Sequence, residues 1–366
     1  MQDVRGFIGE ADLRCRRESC EGAIENLEGA AHLEPLNWRI HMRLGLCLSG
    51  GCRQHALVSS EAALYHLETA LSLLPRSSGR EDRAAVLAAL GNTLPAAGHL
   101  PPKTRAGAAI ANLEEAAAIY ESLGRFQDWA RQHYNLGNIW CELPIQSFRD
   151  KWEQAIRHYK EALRIWTTSG DPKRHVRVLQ NLGTAWRESE AGNPQWNRCE
   201  ALRCFHRALQ QCRKHHLPEN VASLHSNIGN IFLMLHGNGS AKKKRHAQVA
   251  LAHFNRAIGL LNREAEERVY AIAQFNRGQA LLQIAMQESA SIRLLCDAHA
   301  AFEESQRSFL ARGDAMLAER AADQLATVGI LVSAEQLHQG TAESGAAAAT
   351  VAEALSREPA GPLPTS

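Results

Sequence analysis

The sequence predicts an all-α protein in which helical hairpins stack into a solenoid. The first observation is a large apolar residue followed by glycine, which recurs at intervals of 46 residues. The second is composition, since 45% of the residues are hydrophobic but only 6% are aromatic, which is low for a protein made of strands. The regular copies of the motif are Leu44-Gly45, Leu90-Gly91, Leu136-Gly137, Leu182-Gly183 and Ile228-Gly229, and Arg277-Gly278 follows 49 residues later.

A second motif keeps step with the first and has the form Ala-x3-(aromatic or Leu)-x2-Ala. Its first alanine follows the glycine by 18 residues in four repeats and by 21 residues after Gly229. Neighbouring members of each motif are three or four residues apart, so each motif forms one stripe along a helix. Each repeat therefore predicts two helices, A and B. The copies on helix B are Ala63/Leu67/Ala70, Ala109/Leu113/Ala116, Ala155/Tyr159/Ala162, Ala201/Phe205/Ala208 and Ala250/Phe254/Ala257, with Ala23/Leu27/Ala30 and Ala298/Phe302 at the two ends.

The recurring glycines of helix A predict a close approach of helix B. A glycine inside a helix costs about 1 kcal/mol relative to alanine, so its return at one phase needs a cause. We expect the backbone of helix B to lie too close for a side chain, with its recurring alanines as the contact. Since one A and B pair cannot bury its own apolar faces, neighbouring pairs must stack.

The two ends of the array differ from its repeats. The first helix B, residues 20–32, is preceded by too few residues for a full helix A, so the first repeat is expected to be truncated. An apolar stripe over residues 314–332 predicts a helix that caps the stack. Small residues, polar residues and proline dominate from residue 333 onward. We therefore expect a repeat array at 1–332 and a low-complexity, disordered tail at 333–366.

The repeats resemble those of the tetratricopeptide-repeat superfamily. The run Leu136-Gly137-Asn138-Ile139-Trp140 matches its helix A, and Ala155, Tyr159 and Ala162 match its helix B. At 46 residues, the repeat is 12 longer than the superfamily's 34-residue unit. This long repeat, with Trp129-Ala130 near the start of its helix A, resembles the repeats that precede CHAT-type caspase-like proteases. It also resembles the repeats of LGN and Pins scaffolds. The resemblance implies a scaffold that binds a peptide or protein partner in the concave groove of the solenoid.

Charge and motifs argue against several other classes of protein. The formal net charge is only +2, which disfavours a dedicated binder of the nucleic-acid backbone. No segment reaches the roughly 20 apolar residues that cross a bilayer, so we expect a cytoplasmic protein with no membrane partner. The HExxH, GxSxG and phosphate-binding glycine motifs are missing, as is the Gln-Ala-Cys-x-Gly motif of caspase-like proteases. We predict that the protein is not an enzyme and has no cofactor and no metal site.

The candidate binding residues are polar side chains of helix A. Asparagines recur two residues before the glycine and one after it, on the face away from the packing stripe. An asparagine amide can bond the peptide groups of an extended or helical ligand. Two readings stay open: a ligand-binding row, which follows from the resemblance, or polar positions that are solvated or bond a neighbouring helix. The predicted groove residues are Asn92, Asn135, Asn138, Asn181, Thr184, Asn227, Asn230 and Asn276, with Arg131 and Arg177 placed to meet acidic groups of the ligand.

A basic segment occupies the A-to-B loop that is predicted to be three residues longer than the others. Its residues Lys242, Lys243, Lys244 and Arg245 are either solvated or a contact for nucleic acid or another anionic partner. The sequence thus predicts a non-catalytic adaptor that binds an unidentified protein or peptide. The alternatives are a regulatory or sensor subunit of a CHAT-protease-type system and a nucleic-acid-associated factor that uses the basic loop.

Overall fold

The computed structural model describes residues 20–51, 59–143, 150–167, 170–235, 239–287, 291–340 and 361–364. Within these ranges the chain forms fourteen α-helices and no strand, which confirms the predicted all-α class. The helices divide into two compact units, unit 1 up to Asp171 and unit 2 from Pro172.

Unit 1 contains a single helix followed by three helical hairpins. Each helix packs against the next one along the chain, as the two-helix repeat requires. A π-helical turn, Cys47–Gly51, follows the second helix, and a 3-10 turn, Leu94–Ala96, follows the fourth. The helices are α1 (Cys20–Leu33), α2 (Trp38–Leu46), α3 (Ser60–Leu73), α4 (Arg80–Thr93), α5 (Pro102–Ser122), α6 (Phe126–Glu142) and α7 (Lys151–Trp166).

Unit 2 contains three further hairpins and a long last helix. Consecutive helices again pack together, and within the hairpin stack α10 also contacts α12. A 3-10 turn, Pro218–Asn220, leads into the third helix of the unit. The helices are α8 (Pro172–Glu188), α9 (Pro194–His215), α10 (Val221–Met234), α11 (Ser240–Ile258), α12 (Glu267–Ala285), α13 (Ile292–Ala311) and α14 (Ala315–Gly340). The A helices are α2, α4, α6, α8, α10 and α12, and each carries one glycine of the first motif.

The six glycines lie where helix B packs the central Leu or aromatic residue of the second motif against helix A. A Cβ added to any of them would lie 2.5 to 2.8 Å from the nearest atom of that side chain, which is too close for an ordinary contact. This corrects the expected cause, because the glycine makes room for the central Leu or aromatic residue of the second motif rather than chiefly for the alanine backbone. At Gly45 and Gly91 the carbonyl oxygens of Ala63 and Ala109 also lie 3.0 Å from the added Cβ, and at the other four glycines the three nearest atoms all belong to the aromatic ring. The side chains that fill the seams are Leu67, Leu113, Tyr159, Phe205, Phe254 and Phe302.

Local sequence explains where several helices begin and end. The Asn193 side chain caps α9 by accepting from the backbone N–H groups of Gln195 and Trp196, at 2.8 and 3.2 Å. Gly124 and Gly313 follow α5 and α13 with φ values of 69° and 74°, which glycine adopts without steric cost. These short connections hold successive helices antiparallel.

Two boundaries differ from the sequence prediction. The basic residues Lys242, Lys243, Lys244 and Arg245 lie in the first turns of α11 and not in a loop, because Ala, Lys and Arg are good helix formers and the helix extends back to Ser240. The last helix, α14, runs to Gly340 and includes eight residues of the predicted tail, 333–340. The truncated first repeat, residues 1–19, and most of the predicted tail, 341–360, lie outside the described residues.

Candidate functional site

The predicted asparagine row divides into an open part and a covered part. Three of its members are fully covered, although the row lies on the face of helix A away from the packing stripe. The reason is that neighbouring helices and the segment 361–364 cover α10 and α12 in unit 2. Asn92 is exposed, Asn135, Asn138, Asn181 and Thr184 are half-buried, and Asn227, Asn230 and Asn276 are buried with 2%, 1% and 0% exposure.

Two buried asparagines from different A helices form one polar site in unit 2. The side-chain Nδ2 of Asn276 on α12 donates to Oδ1 of Asn230 on α10, at 2.9 Å. We call Asn230, Asn276 and Arg320 of α14 the asparagine site. The Asn230–Asn276 bond joins neighbouring repeats, as one of the two readings of the sequence expected.

The asparagine site also binds a backbone segment that belongs to the predicted tail. The Leu363 N–H donates to Oδ1 of Asn276 at 2.7 Å, and the Leu363 carbonyl accepts from Nδ2 of Asn276 at 2.9 Å and of Asn230 at 3.0 Å. In extended backbone the N–H and C=O of one residue point to the same side, so one amide side chain can pair with both. Asn276 thereby uses its carbonyl and both of its N–H groups.

The side chain of Leu363 is as well covered as its backbone. Leu363 is 1% exposed and belongs to the apolar cluster built from α12, α13 and α14, which includes Phe275 and Val328. The Arg320 guanidinium donates to the carbonyl of Gly361 and lies 5.5 Å from the centre of the Phe275 ring. Gly361 and Pro364, on either side, are exposed. The segment is therefore held by one buried leucine, by the two backbone groups of that leucine, and by the Arg320 bond to Gly361.

The predicted residues of unit 1 make a different set of contacts. Asn138 of α6 accepts from the Tyr159 hydroxyl at 2.8 Å, so it bonds helix B of its own hairpin. Arg131 pairs with Asp128 three residues earlier, at 3.1 Å. Asn92 and Asn135 occupy the same repeat positions in α4 and α6 as Asn230 and Asn276 in α10 and α12.

The predicted residues on α8 belong to unit 2. Buried Arg187, one turn after Gly183, donates to Oδ1 of Asn227 on α10 at 2.9 Å and also pairs with Glu188. This charge-assisted bond joins two A helices. Arg177 is exposed, and Asn181 and Thr184 are half-buried on the same helix.

Three hairpins contain a pair of histidines that sequence reasoning missed. One histidine lies four residues before the glycine of helix A, and the other lies three residues after the first alanine of helix B. In each pair the two Nδ1 atoms are 2.9 to 3.0 Å apart, so one ring donates its N–H to the other. Comparing the same position in successive repeats would have revealed them. The pairs are His41 with His66, His133 with His158, and His225 with His253.

Burial keeps the histidines of the second and third pairs neutral far into the acid range. Burial first, then the charges of Arg157 and Arg164, lower the pKa of His133 to about 4. Burial, then His133 and Arg157, lower the pKa of His158 to about 3. In the third pair the pKa values of His225 and His253 are both lowered to about 4, again chiefly by burial.

The remaining chemistry-bearing residues do not gather into a second site in the described part of the chain. No group of three or more His, Cys, Asp or Glu side chains in these ranges is arranged to hold a metal ion. Burial raises the pKa of the Cys212 thiol to about 11, which makes it a poor nucleophile at neutral pH. None of the described helices is both long enough and apolar enough to span a membrane.

Comparison with known proteins agrees with the architecture. The structure is similar to the apo form of RapI, with a TM-score of 0.51 and 12% identity over 81% of this chain and 98% of that one. It is also similar to the C-terminal part of a TPR repeat-containing protein from Cytophaga hutchinsonii, with a TM-score of 0.50 and 16% identity over 87% and 99%. No protein-family profile matches, and no curated protein does. The fold is of the tetratricopeptide-repeat type, as the repeat motifs implied.

Proposed function

We propose that the chain is a non-catalytic adaptor that binds an extended peptide segment of a protein partner at the asparagine site. A protein-interaction role in general accords with the fold, because stacked hairpins present a continuous surface of A helices. The finer proposal, that the ligand is an extended peptide held by its backbone, depends on residues of this chain.

The observation that supports the proposal is the capture of Leu363 by Asn276 and Asn230. A peptide N–H and C=O are bonded together by a buried amide, and the side chain between them is fully covered. Recognition of backbone groups with one buried side chain is a common way to bind extended peptides. The site therefore has the chemistry that a peptide ligand needs.

The test is selection of 12-residue peptides from a display library on the 366-residue chain carrying Leu363→Asp, so that the segment 361–364 does not compete for the site. Selected peptides should bind more weakly when Asn276→Ala is added, because two hydrogen bonds to the ligand backbone are lost. At about 0.5 to 1.5 kcal/mol for each bond, the affinity should fall by about 5-fold to 150-fold.

Gln279→Ala is the matched control for this measurement. Gln279 lies one turn from Asn276 on α12, is equally an amide, and donates to Gln324 of α14 at 3.0 Å rather than to Leu363. Peptides that bind Leu363→Asp equally well alone, with Asn276→Ala and with Gln279→Ala would contradict the proposal.

The other expectations from the sequence remain predictions. They are regulation of a CHAT-type protease, contact of Lys242, Lys243, Lys244 and Arg245 with nucleic acid, and a cytoplasmic location.

A further inference from the structure

We infer that the asparagine site selects a leucine flanked by prolines, and that the segment 361–364 is an internal copy of this ligand that competes with the partner. The inference rests on the proposed function and specifies its ligand. It follows from the sequence of the segment, Gly361-Pro362-Leu363-Pro364, together with the way in which the site holds it.

The buried position of Leu363 explains why the site selects leucine. Leu363 is the one side chain of the segment that is buried, and it joins an apolar cluster with Phe275 and Val328. A smaller side chain would leave part of this cluster unfilled, and a charged one would be placed among apolar groups without a partner. The site therefore favours an aliphatic side chain at this position.

The backbone properties of proline explain why the site selects a leucine with a proline on each side. Proline has no N–H, so in Pro362-Leu363-Pro364 the only amide donor is that of Leu363, and Asn276 accepts it. A residue that precedes proline is also restricted to extended conformations, which applies to both Gly361 and Leu363. The segment is thus preorganised in the form that pairs with Asn276, which lowers the entropy cost of binding.

The internal segment is held by few contacts and is therefore exchangeable. Its anchors are Leu363 and the Arg320 bond to the Gly361 carbonyl, while Gly361 and Pro364 are exposed. The sequence between the last helix and the segment, residues 341–360, tethers it to the same chain. A tethered ligand acts at an effective concentration on the order of 1 mM. A partner peptide must overcome this concentration, so the segment sets a threshold for binding.

The test uses a fluorescein-labelled peptide with the sequence of residues 357–366 and full-length protein. Leu363→Asp should release the internal segment, and fluorescence anisotropy should then show about 10-fold to 100-fold tighter binding of the probe than the parent shows. This range follows if the tethered segment acts at about 1 mM and binds the site with a dissociation constant of about 10 to 100 µM. The segment then weakens binding of the probe by the ratio of these two values. Leu363→Ala serves as a second release variant if Leu363→Asp fails to fold.

Specificity is tested in the same background. Adding Asn276→Ala to Leu363→Asp should abolish the gain in probe affinity, whereas adding Gln279→Ala should change the probe affinity by no more than about twofold. A probe in which the leucine is replaced by alanine, or both flanking prolines by alanine, should bind more weakly than the parent probe.

Each other outcome overturns a defined part of the inference. Equal binding of the probe to parent and release variants would show that the segment does not compete. A concentration-dependent dimer of the parent that Leu363→Asp dissolves would mean that the segment acts between chains. If library peptides without the Pro-Leu-Pro sequence bind in an Asn276-dependent way, the ligand class is wrong and the proposed function stands. If no peptide depends on Asn276, both fail.

Discussion

Replacing Gly137 by valine tests the explanation for the recurring glycine of the hairpin seam. A Cβ at this position would lie 2.5, 2.7 and 2.9 Å from Cε1, Cδ1 and Cζ of Tyr159, where ordinary carbon contacts lie near 3.5 to 4.0 Å. The ring cannot move freely, because Tyr159 is 1% exposed and its hydroxyl is bonded to Asn138. The strain must therefore be absorbed by the seam itself.

The expected cost follows from these contacts. Overpacking of a buried site costs about 1 to 3 kcal/mol, and displacing the Tyr159 hydroxyl adds about 1 kcal/mol. Valine regains a few tenths of this as a better helix former than glycine. We expect a net loss of about 2 to 4 kcal/mol, or a fall in Tm of about 4 to 16 °C for a unit of this size.

Gly107→Val provides the matched control. Gly107 lies inside α5, and an added Cβ there meets no atom within 4 Å. Circular dichroism melts followed at 222 nm should show an unchanged or slightly higher Tm for Gly107→Val and the predicted fall for Gly137→Val. If Gly137→Val melts at or above the parent, or if both variants fall equally, the seam explanation is wrong.

Two further predictions concern the histidine pairs and the basic turns of α11. In the unfolded chain His133 and His158 gain protons near pH 6.5, whereas burial keeps them neutral in the fold down to about pH 4 and about pH 3, so stability should fall as the pH drops through this window. His133→Asn/His158→Asn should flatten the dependence of Tm on pH between 7 and 4.5, whereas exposed His32→Asn should not. Equal slopes for the two variants would refute the assignment. Replacing the lysines at 242–244 by serine should leave peptide binding at the asparagine site unchanged, while lost binding together with a steep salt dependence in the parent would favour an anionic partner.

The sequence predicted the hairpins because their cause is local. Each glycine and each large residue of helix B is a fixed number of residues from its neighbours, and a helix converts that spacing into one face. The site was predictable only in part. The spacing of Asn230 and Asn276 identified their face, but helical phase does not say what covers a face, and here it is a segment 87 residues beyond Asn276. The basic residues of α11 were misplaced for a simpler reason, since extra residues can lengthen a helix as readily as a loop.

The histidine pairs alternate along the array. Successive pairs are 92 residues apart on helix A, which is two repeats, and the hairpins between them carry other residues at the same positions. In the hairpins without a pair neither position is a histidine, as expected if a buried ring nitrogen at one position needs a hydrogen-bond partner at the other. The helix A position reads His41, Leu87, His133, Leu179, His225 and Gln274, and the helix B position reads His66, Asn112, His158, Cys204, His253 and Ala301.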